Sequence, residues 1–181
     1  MGSAPLDMLR LDHCGGKIQF ENDRPVVKKL YLESSAYQYP LDGCETLSTN
    51  GDSAYTSIAS LLKKSNVRVL HIENMKSYPI LLPERLESLT LVKTNDNNMP
   101  VLPKTLKRLN VRQSYVTFQG EWPELTSVDF TSAVVDMGEG FHLRSCTSIR
   151  LWRPSFELLE QFVKAIQMRQ LTDLTIHVED N

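Results

Sequence analysis

The amino-acid sequence predicts an α/β solenoid, in which short parallel strands stack along one axis and return segments join them. Three observations predict it. A Leu-x-x-Leu-x-Leu spacing recurs along the chain at near-constant intervals, prolines stand two or three residues ahead of three recurrences, and the two longest intervals carry apolar stripes at helical spacing.

The spacing is clearest in Leu86-x-x-Leu89-x-Leu91, Leu106-x-x-Leu109-x-Val111 and Leu125-x-x-Val128-x-Phe130, whose first positions lie 20 and 19 residues apart (106−86, 125−106). Upstream lie Val67/Leu70/Ile72, a weaker Cys44/Leu47/Thr49, Val27/Leu30/Leu32 and Leu6/Leu9/Leu11. Downstream lie Cys146/Ile149/Leu151 and Leu171/Leu174/Ile176. Alternate side chains of a strand face opposite ways, so the fourth and sixth positions point inward together and the fifth points out. The first position turns the chain into the strand and also buries. One such unit cannot close a core by itself. Stacked neighbours can, because their inward side chains form a continuous column.

The return segments follow in order. Leu82-Pro83-Glu84-Arg85-Leu86, Leu102-Pro103-Lys104-Thr105-Leu106 and Trp122-Pro123-Glu124-Leu125 are expected to be extended or turn-like, because proline fixes φ and donates no hydrogen bond. A helix is predicted over about 53–64, with Ile58, Leu61 and Leu62 on one face and Lys63 and Lys64 at its C-terminal end. A second is predicted over about 156–169, with a stripe of Phe156, Leu159, Phe162, Val163 and Ile166. Ser155 is its expected N-cap, Glu157 and Glu160 lie in its first turn, and Arg169 in its last.

These residues resemble the leucine-rich-repeat family, whose unit is a short strand and a return segment with a period of roughly 20–29 residues. The resemblance implies a horseshoe of about eight to nine units. Its parallel sheet would be concave, and its convex side mostly irregular apart from the two helices. It implies a protein-binding module that recognises or assembles, with no catalytic residue, no cofactor and no metal. The irregular unit lengths and helical returns are similar to eukaryotic adaptors of the F-box type, which points to a ubiquitin-ligase complex. The Leu-Pro-x-x-Leu spacing around 82–106 is similar to bacterial effector repeats. On that alternative the chain is the non-catalytic repeat portion of a host-delivered ubiquitin-ligase effector. A structural spacer or self-association platform is the third reading. Many family members carry Asn or Cys at the ninth position, where the side chain satisfies backbone groups between coils. Here that column reads Ser35, Met75, Thr94, Ser114, Ala133 and Pro154, which predicts an irregular solenoid.

Binding is expected on the concave face or an edge of the sheet. The fifth positions read Arg10, Tyr31, Ser48, His71, Thr90, Asn110, Asp129, Arg150 and Thr175. The seventh read Asp12, Glu33, Asn50, Glu73, Val92, Arg112, Thr131, Trp152 and His177. Strands about 4.8 Å apart would gather Arg108, Arg112, Arg150 and Trp152 into one patch with Asp129 among them. Tyr31, Glu33, His71 and Glu73 would line the opposite, more acidic end with Asp12. Trp and Arg are enriched at binding hot spots, and these residues are the partner-binding candidates.

Other chemistry fares poorly. His13-Cys14-Gly15-Gly16-Lys17 holds a cysteine beside a histidine, but neighbours on a strand point apart, and the phosphate-loop framework is missing. A turn leaving the first strand explains it. Cys44 and Cys146 stand at first positions, where a small buried residue suffices. His71 and His177 fall five units apart, too far to share a metal. The segment Gly138-Glu139-Gly140-Phe141-His142 reads as a flexible connection, and Thr94-Asn95-Asp96-Asn97-Asn98 as a solvated loop.

Composition narrows the partner and the setting. A net charge of −2 and a pI near 6.1 argue against nucleic acid, which strongly basic surfaces attract. No apolar run is long enough for a membrane span, and no small-molecule site is evident. The three cysteines lack the spacing of a disulfide framework and no Asn-x-Ser/Thr sequon occurs, which predicts an intracellular setting, cytoplasmic or nuclear. Residues 1–5 read as an expression scar or linker and 6–178 as the repeat domain. Neither end carries a cap of the kind solenoids use, which predicts a piece of a longer chain or end-on packing against a partner.

Overall fold

In the computed structural model, residues 5–14, 26–76, 79–94, 102–118, 121–138, 142–166 and 170–178 are described. Nine strands form one parallel sheet in chain order: β1 (Leu6–Asp12), β2 (Val27–Glu33), β3 (Thr46–Asn50), β4 (Val69–Glu73), β5 (Ser88–Val92), β6 (Arg108–Arg112), β8 (Ser127–Thr131), β10 (Ser148–Trp152) and β11 (Asp173–His177). Two further strands, β7 (Tyr115–Phe118) and β9 (Val134–Met137), pair in parallel as a separate small sheet. Helix α1 (Asp52–Leu62) follows β3, and helix α2 (Phe156–Ala165) follows β10. The chain is a parallel-strand solenoid with two helices in its outer layer.

The apolar spacing sets the register. Leu89, Leu109, Val128 and Ile149 pair in succession across β5, β6, β8 and β10, and Leu91, Val111, Phe130 and Leu151 do the same two residues on. All eight are buried. Fully burying one such side chain stabilises by roughly 1.5–3 kcal/mol, so the two columns are the main source of cohesion. The weak unit shows its weakness here: Thr49 occupies the inward column, buried, and its hydroxyl has no hydrogen-bond partner among the described residues.

Each strand of the main sheet from β1 to β10 is followed directly by a residue with positive φ: His13, Ser34, Gly51, Asn74, Lys93, Gln113, Ser132 and Arg153. Only Gly and Asn adopt this left-handed region readily, and other residues pay roughly 1–2 kcal/mol. The conformation aims the backbone N–H at the neighbouring strand. His13 donates to the Glu33 carbonyl (2.8 Å), Lys93 to that of Arg112 (2.9 Å) and Arg153 to that of His177 (2.9 Å), extending the ladder by one rung.

Inter-coil bridging at the ninth position falls to serine. The Ser114 hydroxyl accepts from the Thr94 N–H (2.9 Å) and donates to the Arg112 carbonyl (2.8 Å). Ser35 repeats this with the Cys14 N–H and the Glu33 carbonyl. Serine hydroxyls thus bridge neighbouring coils at this position.

The proline segments form turns, as predicted. The amides of Leu86 and Leu106 donate to the carbonyls of Pro83 and Pro103, and that of Leu125 to Trp122. Leu41–Cys44 and Leu143–Cys146 close the same three-residue step without proline. Tyr115–Phe118 and Val134–Met137 differ from expectation, since they are strands rather than irregular returns. β7 buries Val116 and Phe118, and the Phe118 ring meets Trp122 (5.5 Å) and Phe130 (6.1 Å) edge-on.

Both helices are present but shorter than predicted. α1 stops at Leu62, so Lys63 and Lys64 lie just past its last turn. Its buried face is Ala54, Tyr55, Ile58 and Leu62, with Leu61 at the margin. Ser155 caps α2 by accepting from the Leu158 N–H. Glu160 pairs with Lys164 one turn on rather than serving the first turn. The α2 stripe is corrected: Phe156 is 83% and Val163 69% exposed, while Leu158, Phe162 and Ala165 face the core. The Phe162 ring packs 5.6 Å from Phe130, and that contact fixes the helix's rotation. Arg169, Gly15–Lys17, Asn95–Asn98, residues 139–141 and residues 1–4 lie outside the described residues.

Candidate functional site

The outward columns run unbroken along the sheet. Arg10, Tyr31, Ser48, His71, Thr90, Asn110, Asp129, Arg150 and Thr175 pair in succession. The seventh-position residues from Asp12 to His177 do the same. This follows from the inward pairing, because a strand in register on one face is in register on the other.

Arg108 and Arg112 on β6, Asp129 on β8, and Arg150 and Trp152 on β10 therefore stand on adjacent strands. Arg112 donates through Nε to Asn110 Oδ1 (3.1 Å), and Arg150 Nη1 lies 3.6 Å from Asp129 Oδ2. Trp152 stacks on His177, with ring centroids 4.1 Å apart and planes tilted by 35°, and remains 42% exposed. His177 thus belongs to this patch. The signal that could have found it is the column itself, since it stands beside Trp152 at the same position of the next strand.

The other candidates gather towards β1. Tyr31 and Glu33 stand on β2, His71 and Glu73 on β4, with Ser48 and Asn50 of β3 between them. The expected acidity of this end is blunted. Arg10 Nε lies 2.8 Å from Asp12, its guanidinium reaches Glu33 (3.7 Å), and His13 Nε2 is 3.9 Å from Glu33. His71 Nε2 lies 3.8 Å from Glu73. These pairs are largely solvated, and exposed pairs contribute little to stability.

The remaining reactive groups sit apart from both clusters. His13 and Cys14 lie beyond the strand end rather than on it. They separate because His13 turns outward to Glu33 while the Cys14 N–H turns inward to Ser35. Cys44 and Cys146 are buried free thiols that donate to the carbonyls of Thr46 and Ser148. Burial pushes both up to about 11. A thiol so shifted is a poor nucleophile near neutrality. His71 on β4 and His177 on β11 are five strands apart, and His142 forms an isolated bridge with Glu121. Among the described residues no helix is long and apolar enough to cross a membrane.

No known protein family, curated protein or solved structure matches the chain.

Proposed function

We propose that the chain is a leucine-rich-repeat module of about eight to nine units that binds a protein on its sheet face, without catalysing a reaction. The observation that carries this reading is the gathering of Arg108, Arg112, Arg150 and Trp152 on neighbouring strands, around an arginine–aspartate pair. An exposed indole among guanidinium groups has the composition of an interface hot spot. Recognition or assembly within a larger complex, such as a ubiquitin ligase, is the finer form of the proposal and rests on the family resemblance. Two buried free thiols support a reducing, intracellular setting.

The test is an exchange of Trp152 and Arg112 for alanine together. Both side chains lie on the surface, so W152A/R112A should stay folded, with stability lowered only by about 1 kcal/mol for the lost Trp152–His177 stacking. Proteins captured specifically by the parent chain from its native lysate should be lost by the double variant. Undiminished capture removes the patch from consideration. A self-association reading draws on one observation, the half-exposed Leu174 and Ile176 of the outermost strand. Light scattering that shows a concentration-independent monomer rejects it.

A further inference from the structure

The outer layer of the solenoid carries a small sheet and a groove of its own, away from the sheet face. The origin of the groove is a mismatch between consecutive return segments. After β6 and β8 the return is a strand, giving the β7–β9 pair, whereas after β10 it is helix α2. The small sheet therefore stops at β9, because the next return offers a helix where a third strand would pair.

The register shows which groups this leaves. Val134 N–H donates to the Ser114 carbonyl (3.0 Å) and Gly138 N–H to that of Phe118 (2.9 Å), so the backbone of Val134, Asp136 and Gly138 faces β7. In a parallel ladder the alternate residues face the other way. The N–H and C=O groups of Val135 and Met137 thus form the outer edge and have no partner strand among the described residues. Beside them runs an open groove of about 380 Å³ between β9 and α2, walled by Tyr115, Val134 and Asp136 on one side and Glu157, Leu158 and Gln161 on the other. Among the described residues its charged lining is two carboxylates, Asp136 and Glu157, and no cation. The Gln161 amide oxygen, inaccessible to water, has no hydrogen-bond partner among the described residues.

We propose that this groove takes an extended, lysine- or arginine-bearing peptide segment, which adds as a third strand to β9. Strand addition satisfies the edge groups of Val135 and Met137. Side chains of one parity on the added strand share the outward face with Val134 and Asp136, where cationic ones meet Asp136 and Glu157, while apolar ones of the other parity share the face of Val135 and Met137.

The experiment titrates a short peptide alternating lysine with valine into the isotope-labelled protein and follows backbone amide shifts by NMR. The expected result is movement of the Val135 and Met137 amides. Binding should be at least about tenfold weaker for the glutamate–valine peptide, and lost when the lysine–valine peptide is N-methylated along its backbone. The exchange D136K/E157K, at two exposed positions, should reverse the preference between the two peptides. Shifts confined to the sheet face around Arg150 and Trp152, no shifts at all, or a lysine preference that survives D136K/E157K would each overturn the proposal.

Discussion

β10 and β11 carry the same apolar spacing in the same register, yet their inward residues have different fates. Ile149 in β10 is fully buried, whereas its pairing partner Leu174 in β11 is 46% exposed, and Ile176 beside it 43%. The backbone pairing is equivalent up to β11. The difference lies in the neighbours: among the described residues β10 has a paired strand on both sides and β11 on one. A Leu-x-x-Leu-x-Leu segment therefore specifies a direction for its side chains, and burial is supplied by the strands stacked against it.

The largest expected effect breaks an interior column. Leu109→Ala should cost about 2–5 kcal/mol in chemical denaturation, because the hole is held open by strands on both sides. Ile176→Ala should cost about 1 kcal/mol or less. Equal losses would mean that the end strand is as constrained as the interior. Alkaline pH probes the same contrast. Cys44 and Cys146 hold their protons more tightly folded than unfolded, since burial raises them from the ordinary 9.0 to about 11. Their contribution to stability is intact below about pH 9 and is lost as the pH climbs through 11. A denaturation series over that window should show a steep decline, flattened in C44A/C146A. At pH 8 both thiols should alkylate on the order of a hundredfold more slowly than a cysteine introduced by Leu171→Cys at the half-open end.

Smaller effects sharpen the comparison at polar positions. Ser114→Ala leaves the Thr94 N–H without an acceptor between two coils, and should cost about 1–2 kcal/mol by thermal denaturation. Thr49→Val removes an unpartnered hydroxyl from the inward column, and should raise stability by about 1 kcal/mol. A loss there would show that the Thr49 hydroxyl has a partner when folded in solution.

The strands were legible in the sequence because their signal is redundant. Alternation within each strand and recurrence between strands both place Leu89, Leu109, Val128 and Ile149 inward. The Ser155 cap was legible for its local chemistry. The rotation of α2 was not. The helix carries two overlapping apolar stripes, one through Phe156 and Val163 and one through Leu158, Phe162 and Ala165, and the aromatic cluster at Phe130 chooses between them. β7 and β9 left a faint mark, Tyr115-Val116-Thr117-Phe118 and Val134-Val135-Asp136-Met137, too short to separate from a loop without seeing the two runs pair. Of the candidate site, column membership was legible. The contacts that modify it, Arg10 with Glu33 and Trp152 with His177, depend on side-chain reach and rotamer, which spacing does not encode.

The left-handed residue that follows each main-sheet strand from β1 to β10 has a consequence for misfolding. A chain slipped by one residue in one direction would force Val92 or Thr131 into that position, and β-branched residues tolerate it poorly. Slipped the other way, the last such site would receive Pro154, whose ring forbids positive φ. The exits thus act as a ratchet on alignment: they penalise out-of-step pairings that the aliphatic columns, with leucine and valine at so many places, would penalise less sharply.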